Sequence, residues 1–296
     1  MSPNSRARWA LLAAAALFST GGAAIKGTSF HGFELAGLRS AVAVLAFLVF
    51  LPATRARPSA RELLVALAYA ATLTAFVLAN KLTTSADTIF LQSTAPLYVL
   101  ALAPLLLRER VHARDLLLLV AIGGGIALLF LDDQAPLQSA SDPALGNKLA
   151  LFSGFTWALT MIGLRWLARG SEGSSALGAA LWGNAFAALA CLAVSGLRGE
   201  LTLAEAGPRS WLLVAFLGVF QIGLAYALVS SAVKHLEAFE VSLLLLLEPV
   251  LNPVWVLIGF GERPGPWAVA GGAIVIAAVV ARTLLPPPQR ASTTSV

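Results

Sequence analysis

Residues 88–107 read TIFLQSTAPLYVLALAPLLL and residues 241–260 read VSLLLLLEPVLNPVWVLIGF, and a Glu-Arg pair follows each, Glu109-Arg110 in the first and Glu262-Arg263 in the second. Some twenty mostly apolar residues in an α-helix extend about 30 Å, the thickness of a bilayer's hydrocarbon core. Sliding the chain by 153 residues lays Ala79 on Ala232, Lys81 on Lys234, Leu91 on Leu244, Pro96 on Pro249 and Glu109-Arg110 on Glu262-Arg263, with Asp87 falling on Glu240. The repeated pattern is a charged turn, an apolar span with a proline near its middle, a Glu-Arg pair, and then a span rich in small residues. Five spans separate equivalent elements. Five is odd, so the second copy enters the bilayer upside down relative to the first. Inverted repeats of this kind belong to secondary transporters, whose two halves exchange inward-open and outward-open shapes around a site at their interface.

The composition agrees with this. Of 296 residues, 58% are hydrophobic and 12% charged, where a soluble domain carries about a quarter charged residues. A soluble globular protein is excluded. The expected fold is all-α, a polytopic membrane protein with ten transmembrane helices in two inverted five-helix repeats. The expected spans are Trp9 to Ile25, Phe33 to Leu51, Leu63 to Asn80, Thr88 to Leu107, Leu116 to Leu131, Leu149 to Leu167, Leu177 to Gly196, Trp211 to Val233, Val241 to Phe260 and Trp267 to Leu285. This divides the chain into an N-terminal tail (1–8), a first repeat (9–131), a connecting loop (132–148), a second repeat (149–285) and a disordered tail (286–296). The first block follows Arg6 and Arg8 and ends in Gly21, Gly22 and Ala23, much as a signal peptide does. Removing it would unbalance the repeat, so it is read as a retained span.

Lys and Arg set the orientation. With the N-terminus inside, 13 of the 20 lie in cytoplasmic segments, six lie opposite, and Arg39 lies within a span. Both termini are therefore expected to be cytoplasmic, in the plasma (inner) membrane. The basic residues form no stripe of the kind nucleic acid requires. Cys191 is the only cysteine, which rules out an internal disulfide. His31, His112 and His235 sit in or beside loops, with His31 on the opposite side from the other two. No His-Glu-x-x-His, Gly-x-Ser-x-Gly or P-loop pattern occurs, so neither an enzyme nor a cofactor is expected. The expected partners are a small-molecule substrate and membrane lipid, with the chain a monomer or weak homodimer.

A family resemblance rests on particular residues. Leu247-Glu248-Pro249-Val250, then Gly261-Glu262-Arg263 and Ala270-Gly271-Gly272-Ala273, resembles the second repeat of EamA-type carriers of the drug/metabolite transporter superfamily. Ala95-Pro96-Leu97, then Arg108-Glu109-Arg110 and Gly123-Gly124-Gly125, resembles the first, and Gly37-Leu38-Arg39 matches the family's early arginine. Phe18-Ser19 stands where the family often has Trp-Gly. The resemblance covers essentially the whole chain. It implies the ten-helix carrier fold and places the chain among proteins that include exporters of amino acids, aromatic ones among them. Export of small organic metabolites, neutral or aromatic amino acids first, is the expected function. The alternatives are a carrier for another metabolite or drug-like solute, and a non-transporting membrane subunit.

Glu248 is the sharpest candidate site residue. It lies about 10 Å into its span, where an acidic residue costs about 2.5 to 3.5 kcal/mol to insert. It should therefore face protein or water, as a contact for a substrate ammonium, as a proton carrier, or as a structural partner of Arg39. Asn252 and Trp255 follow on the same helix face. Pro249 and Pro253, like Pro96 and Pro104, remove helix hydrogen bonds; Pro96, Pro249 and Pro253 are the candidate hinges. Gln92, Tyr98, Trp157, Asn184, Gln221 and Tyr226 lie away from span ends and are candidate substrate contacts with Glu248 and Asn252. Tyr69, Phe76 and Asn80 share one face of the third span. The glycines Gly21, Gly22, Gly123, Gly124, Gly125, Gly271 and Gly272 are expected where helices approach closely. Lys81 and Lys234, equivalent under the repeat, are read as snorkelling anchors at span ends.

Overall fold

The computed structural model describes residues 2–109, 112–128, 141–170, 175–251, 254–255 and 266–284. Among these the chain is helical, with no strand. The first half holds α1 (Pro3–Ser19), α2 (Gly21–Lys26), α3 (Gly32–Phe50), α4 (Ala60–Leu82), α5 (Ser85–Gln92), α6 (Ala95–Leu107) and α7 (Ala113–Leu128). The second holds α8 (Pro143–Arg169), α9 (Ala176–Leu197), α10 (Pro208–Phe216), a π-helical stretch (Leu217–Leu224), α11 (Ala225–Ala232), α12 (Ala238–Leu245) and α13 (Pro266–Leu284). Each of the ten expected spans carries helix among its described residues. Six helical stretches are long and apolar enough by themselves to cross a bilayer: Pro3–Lys26, Gly32–Phe50, Ala60–Leu82, Asp87–Leu107, Ala176–Leu197 and Pro208–Ala232.

Caps move two expected boundaries. Ser2 accepts a hydrogen bond from the Ser5 amide and Pro3 occupies the first turn, so helix begins inside the expected N-terminal tail. Asp142 does the same for α8, accepting from the Leu145 amide ahead of Pro143, and the sixth helix starts six residues before Leu149. In both cases a side-chain oxygen satisfies an otherwise orphaned donor, and a proline needs no donor in the first turn.

The halves interdigitate. α4 of the first half packs on α8 and α9 of the second, while α11 and the π-helical stretch pack on α1 and α3. Contacts at the helix ends sort onto two faces. On one, Arg8 at the start of α1 pairs with Glu240 at the start of α12 at 2.9 Å. There also Arg165 of α8 pairs with Glu109, just past α6, at 2.8 Å, and Glu109 accepts from the Ala238 amide at 2.8 Å. On the other, Glu34 at the start of α3 accepts from the Thr202 amide and hydroxyl at 2.7 and 2.8 Å. The Ser29 amide donates to Ser210 Oγ at 3.1 Å, and the Asp142 amide to the Leu82 carbonyl at 3.1 Å. Every one of these contacts joins ends that a ten-span, up-and-down path would put on the same side.

Lys81 Nζ donates to the Thr28 carbonyl at 3.0 Å and Lys26 Nζ to the Thr83 carbonyl at 2.8 Å, so Lys81 binds the segment after α2 rather than only reaching for water.

The repeat reaches down to backbone detail. The helix breaks at Ser93-Thr94 between α5 and α6 and again at Leu246-Leu247 after α12, positions 153 residues apart. Pro96 and Pro249 are thus second residues of new helical segments. They therefore do not remove hydrogen bonds from a continuous helix, which is what the sequence reading expected of them. Their missing N–H groups fall in a first turn, where donors lack helical partners in any case. Ser93 Oγ and Thr94 Oγ1 donate to the Ile89 and Leu91 carbonyls, both at 2.6 Å, and so satisfy acceptors that lipid could not.

Glycine spacing explains the tight crossings only in part. A Cβ on Gly125 would lie 2.8 Å from the Gly271 carbonyl, where α7 meets α13, and one on Gly21 would lie 2.8 Å from Gln221 Nε2. Gly123 and Gly124, expected at a close approach, face open space, because the helix turns them away from the contact that Gly125 makes.

Candidate functional site

A cavity lies where the halves meet. The first half contributes Phe18, Arg39, Thr72, Leu73, Phe76 and Gln92; the second contributes Trp157, Gln221, Ile222, Tyr226 and Glu248. Its volume, about 30 Å³, has room for roughly two water molecules and not for an amino acid. A larger solute needs more space than this conformation offers.

Among the described residues, Arg39 is the only charged group that the first half brings to this cavity. It is 1% exposed. Nη1 donates to Gln221 Oε1 at 3.3 Å and Nη2 to the Leu73 carbonyl at 3.0 Å, while Nε has no partner. Gln221 reaches Arg39 from the middle of the π-helical stretch, a helix form that inserts an extra residue and occurs often at functional sites. Two buried glycines, Gly218 and Gly223, lie in that stretch. A Cβ on Gly218 would lie 2.5 Å from Val42 and 2.7 Å from the Arg39 carbonyl, so only glycine lets this segment sit against α3.

Glu248 opens the helical segment 248–251, where the partial positive charge of a helix N-terminus favours a carboxylate. It is half-buried on the cavity wall. The structural pair between Arg39 and Glu248, left open by the sequence, does not form among the described residues. Tyr226 lines the same cavity as both.

Part of the cavity wall is aromatic. Phe18, Trp157 and Tyr226, from α1, α8 and α11, meet edge to face at centroid distances of 5.8, 5.2 and 5.7 Å. Gln92 donates to Ser153 Oγ at 2.7 Å, which ties α5 to α8.

Of the sequence candidates, Gln92, Trp157, Gln221, Tyr226 and Glu248 line this cavity. Tyr98 and Asn184 do not. Tyr98 packs edge-on against Phe155 at 5.5 Å, because its position on α6 turns it toward α8. Asn184 is buried one layer behind, donating to Tyr69 Oη at 3.1 Å and to the Ala180 carbonyl at 2.8 Å; Tyr69 in turn packs on Tyr226 at 4.4 Å. Asn252, Pro253, Arg110, Glu262, Arg263 and both ends of the chain's expected tails, Met1 and 286–296, lie outside the described residues.

Phe18 and Thr72 are lining residues that sequence reasoning did not single out. The signal for Phe18 was its place in the Phe18-Ser19 departure from the family pattern. Ser19 fills the neighbouring position by accepting from Trp255 Nε1 at 2.7 Å. Among the described residues, no three His, Cys, Asp or Glu gather as a metal site would require.

The EamA-like transporter family matches residues 6–131 and again residues 144–283. The chain belongs to the EamA-like transporter family. The two matches correspond to the two halves described above, and the family makes this chain a membrane transporter of the drug/metabolite type. No curated protein matches the sequence of this EamA-like transporter. Its fold is shared with solved structures. One, described only as "Crystal structure of protein", superposes with a TM-score of 0.75 over 94% of this chain and 96% of that one, at 18% sequence identity. At that identity the likeness is one of fold alone.

Proposed function

We propose that this transporter exports small organic metabolites, with neutral or aromatic amino acids as the leading substrate class, by alternating access in the inner (plasma) membrane. Ten spans in two inverted five-helix halves carry the cavity near mid-membrane, with both termini cytoplasmic. The observation that carries this reading is the cavity between the halves, with Phe18, Trp157 and Tyr226 as a wall on which a flat or apolar side chain would stack.

The end contacts support the mechanism. Arg8–Glu240 and Arg165–Glu109 hold the halves together on the face that carries the N-terminus. Hydrogen bonds between Glu34 and Thr202 and between Ser29 and Ser210 hold them on the other. Releasing one set while the other holds would open the cavity to one side at a time. The Ser93-Thr94 and Leu246-Leu247 breaks, beside Pro96 and Pro249, are the places where the backbone can bend without losing helix hydrogen bonds; Pro253 is proposed with them as a hinge.

Purified protein in liposomes, screened by competition against a metabolite panel at two pH values, tests this directly. Flux of an amino acid without any added subunit is expected. Absence of flux across the whole panel would favour the non-transporting subunit.

A further inference from the structure

Two features of the cavity are unusual together. Arg39 is a guanidinium almost wholly out of water with no carboxylate within ion-pair distance among the described residues, and its Nε is unsatisfied. Glu248 faces the same cavity without an ion pair or a hydrogen bond to any described residue. An isolated buried charge is far more costly than a buried polar group, so a purely structural arrangement would bring the two together. They are instead held apart. Gln221 and the Leu73 carbonyl engage the two Nη atoms of Arg39. Glu248 is held at the start of its own helical segment, and Tyr226 lines the same cavity as both.

We infer that Arg39 and Glu248 are the two charge-reading groups of the substrate site, and that the substrate is a zwitterion whose carboxylate takes Arg39 and whose ammonium takes Glu248. The inference rests on the transport reading above and narrows it. The free Nε–H and the second hydrogen on Nη2 form the side-on fork of a guanidinium, which matches the two oxygens of a carboxylate. Glu248 offers an acceptor to an ammonium. A side chain leaving the same carbon meets Phe18, Trp157 and Tyr226.

Arg39 belongs to the first half and Glu248 to the second. A molecule carrying both charges therefore bridges the halves, whereas an amine or an acid engages only one. Selection and closure become one event, because only a zwitterion draws the two halves together over itself. An organic cation lacks a partner for Arg39 and leaves the guanidinium unpaired; an organic acid leaves Glu248 unpaired.

The test is ligand-induced thermal stabilisation of the detergent-solubilised protein with L-phenylalanine, phenethylamine and 3-phenylpropionate, which differ only in the two charged groups. Phenylalanine is expected to bind about tenfold to a hundredfold more tightly than either analogue, the range that a hydrogen-bonded charge supplies. Glu248→Gln should bring phenylalanine down to the level of 3-phenylpropionate. Arg39→Gln should bring it down to that of phenethylamine, and Arg39→Lys should recover part of the difference. Phenethylamine or 3-phenylpropionate binding as well as phenylalanine to the unmodified protein overturns the inference, and needs no variant to fold. If none of the three binds, aromatic amino acids fail as substrates. The same triple built on leucine, with isoamylamine and 4-methylpentanoate, then decides: preference for leucine sustains the zwitterion site, and no preference overturns it. Loss of the transport reading shows separately, as absence of flux in liposomes.

Discussion

Gln221 accepts a hydrogen bond from the Arg39 guanidinium across 3.3 Å, and the two residues come from opposite halves of the molecule. One is the early arginine of the second span; the other sits where the eighth span turns π-helical. The contact orients the buried cation and joins the halves at the cavity wall.

Replacing Gln221 by Leu should leave that cation a single oriented partner and cost about 1.5 to 3 kcal/mol of stability. Gln221→Glu should behave differently. A carboxylate at this point would pair with Arg39 through Nη1, keep the fold, and weaken substrate binding by neutralising the guanidinium. Thermal unfolding alongside flux in liposomes separates the two variants; equal flux in Gln221→Glu and the unmodified protein would remove Arg39 from the site.

Gly218 and Gly123 form a matched pair of tests. A Cβ at Gly218 would lie 2.5 Å from Val42 and 2.7 Å from the Arg39 carbonyl, while one at Gly123 would meet nothing. Gly218→Ala is expected to cost about 1 to 3 kcal/mol through overpacking and to slow transport by displacing Arg39. Gly123→Ala should stay within about 0.5 kcal/mol of the unmodified protein. Unfolding midpoints in detergent compare them.

Arg8 and Glu240 are both buried and pair at 2.9 Å. Truncating either to Ala removes the ion pair from a charge that stays buried and should cost about 3 to 5 kcal/mol, more than the pair contributes on balance. The double variant should cost less than the two single ones added together. A double-mutant cycle on thermal stability measures this, and simple additivity would show that the pair is not coupled.

The opposite face offers the mirror image. Asp87 matches Glu240 under the 153-residue shift, and the matching caps Ser2-Pro3 and Asp142-Pro143 set Lys148 against Arg8. Here Lys148 is exposed and Asp87 accepts instead from Thr84 Oγ1 at 2.7 Å. The proposed alternation would pair Lys148 with Asp87 when the other face opens. Lys148→Glu should then slow flux severalfold while leaving the melting temperature nearly unchanged, and Asp87→Lys in the same chain should restore it. A Lys148→Glu protein with unimpaired flux would contradict the mirrored latch.

Glu237, in the loop before α12, has its carboxyl pushed above the usual 4.5 by burial first and by neighbouring Glu109 second; His112 and Arg165 oppose the shift and Glu240 adds to it. The native state therefore holds this proton more tightly than the unfolded chain. Stability from this group is present below about pH 4.5 and is lost as pH rises through the raised value. Glu237→Gln should flatten that fall and raise the melting temperature at neutral pH. A melting curve against pH for both proteins tests the sign.

The two-fold repeat and the membrane setting were legible from the linear order alone. Prolines, charged turns and apolar run lengths are properties of local sequence, and a bilayer leaves helices as the way to satisfy their backbones. The sequence also marked Glu248, because one carboxylate deep in an apolar run is conspicuous. It did not show which way Tyr98 and Asn184 face. Both are polar residues within spans, yet one lies against Phe155 and the other behind Tyr69, since a helix's rotation is set by its neighbours. Phe18 carried only the mark of the Phe18-Ser19 departure from the family pattern; that it lines the cavity shows once Trp157 and Tyr226 stand beside it. The separation of Arg39 from Glu248 was likewise undecidable, because two lone charges in a membrane sequence look like a pair. Only the packing of α3 against the π-helical stretch, which gives Arg39 to Gln221, decided that they stay apart.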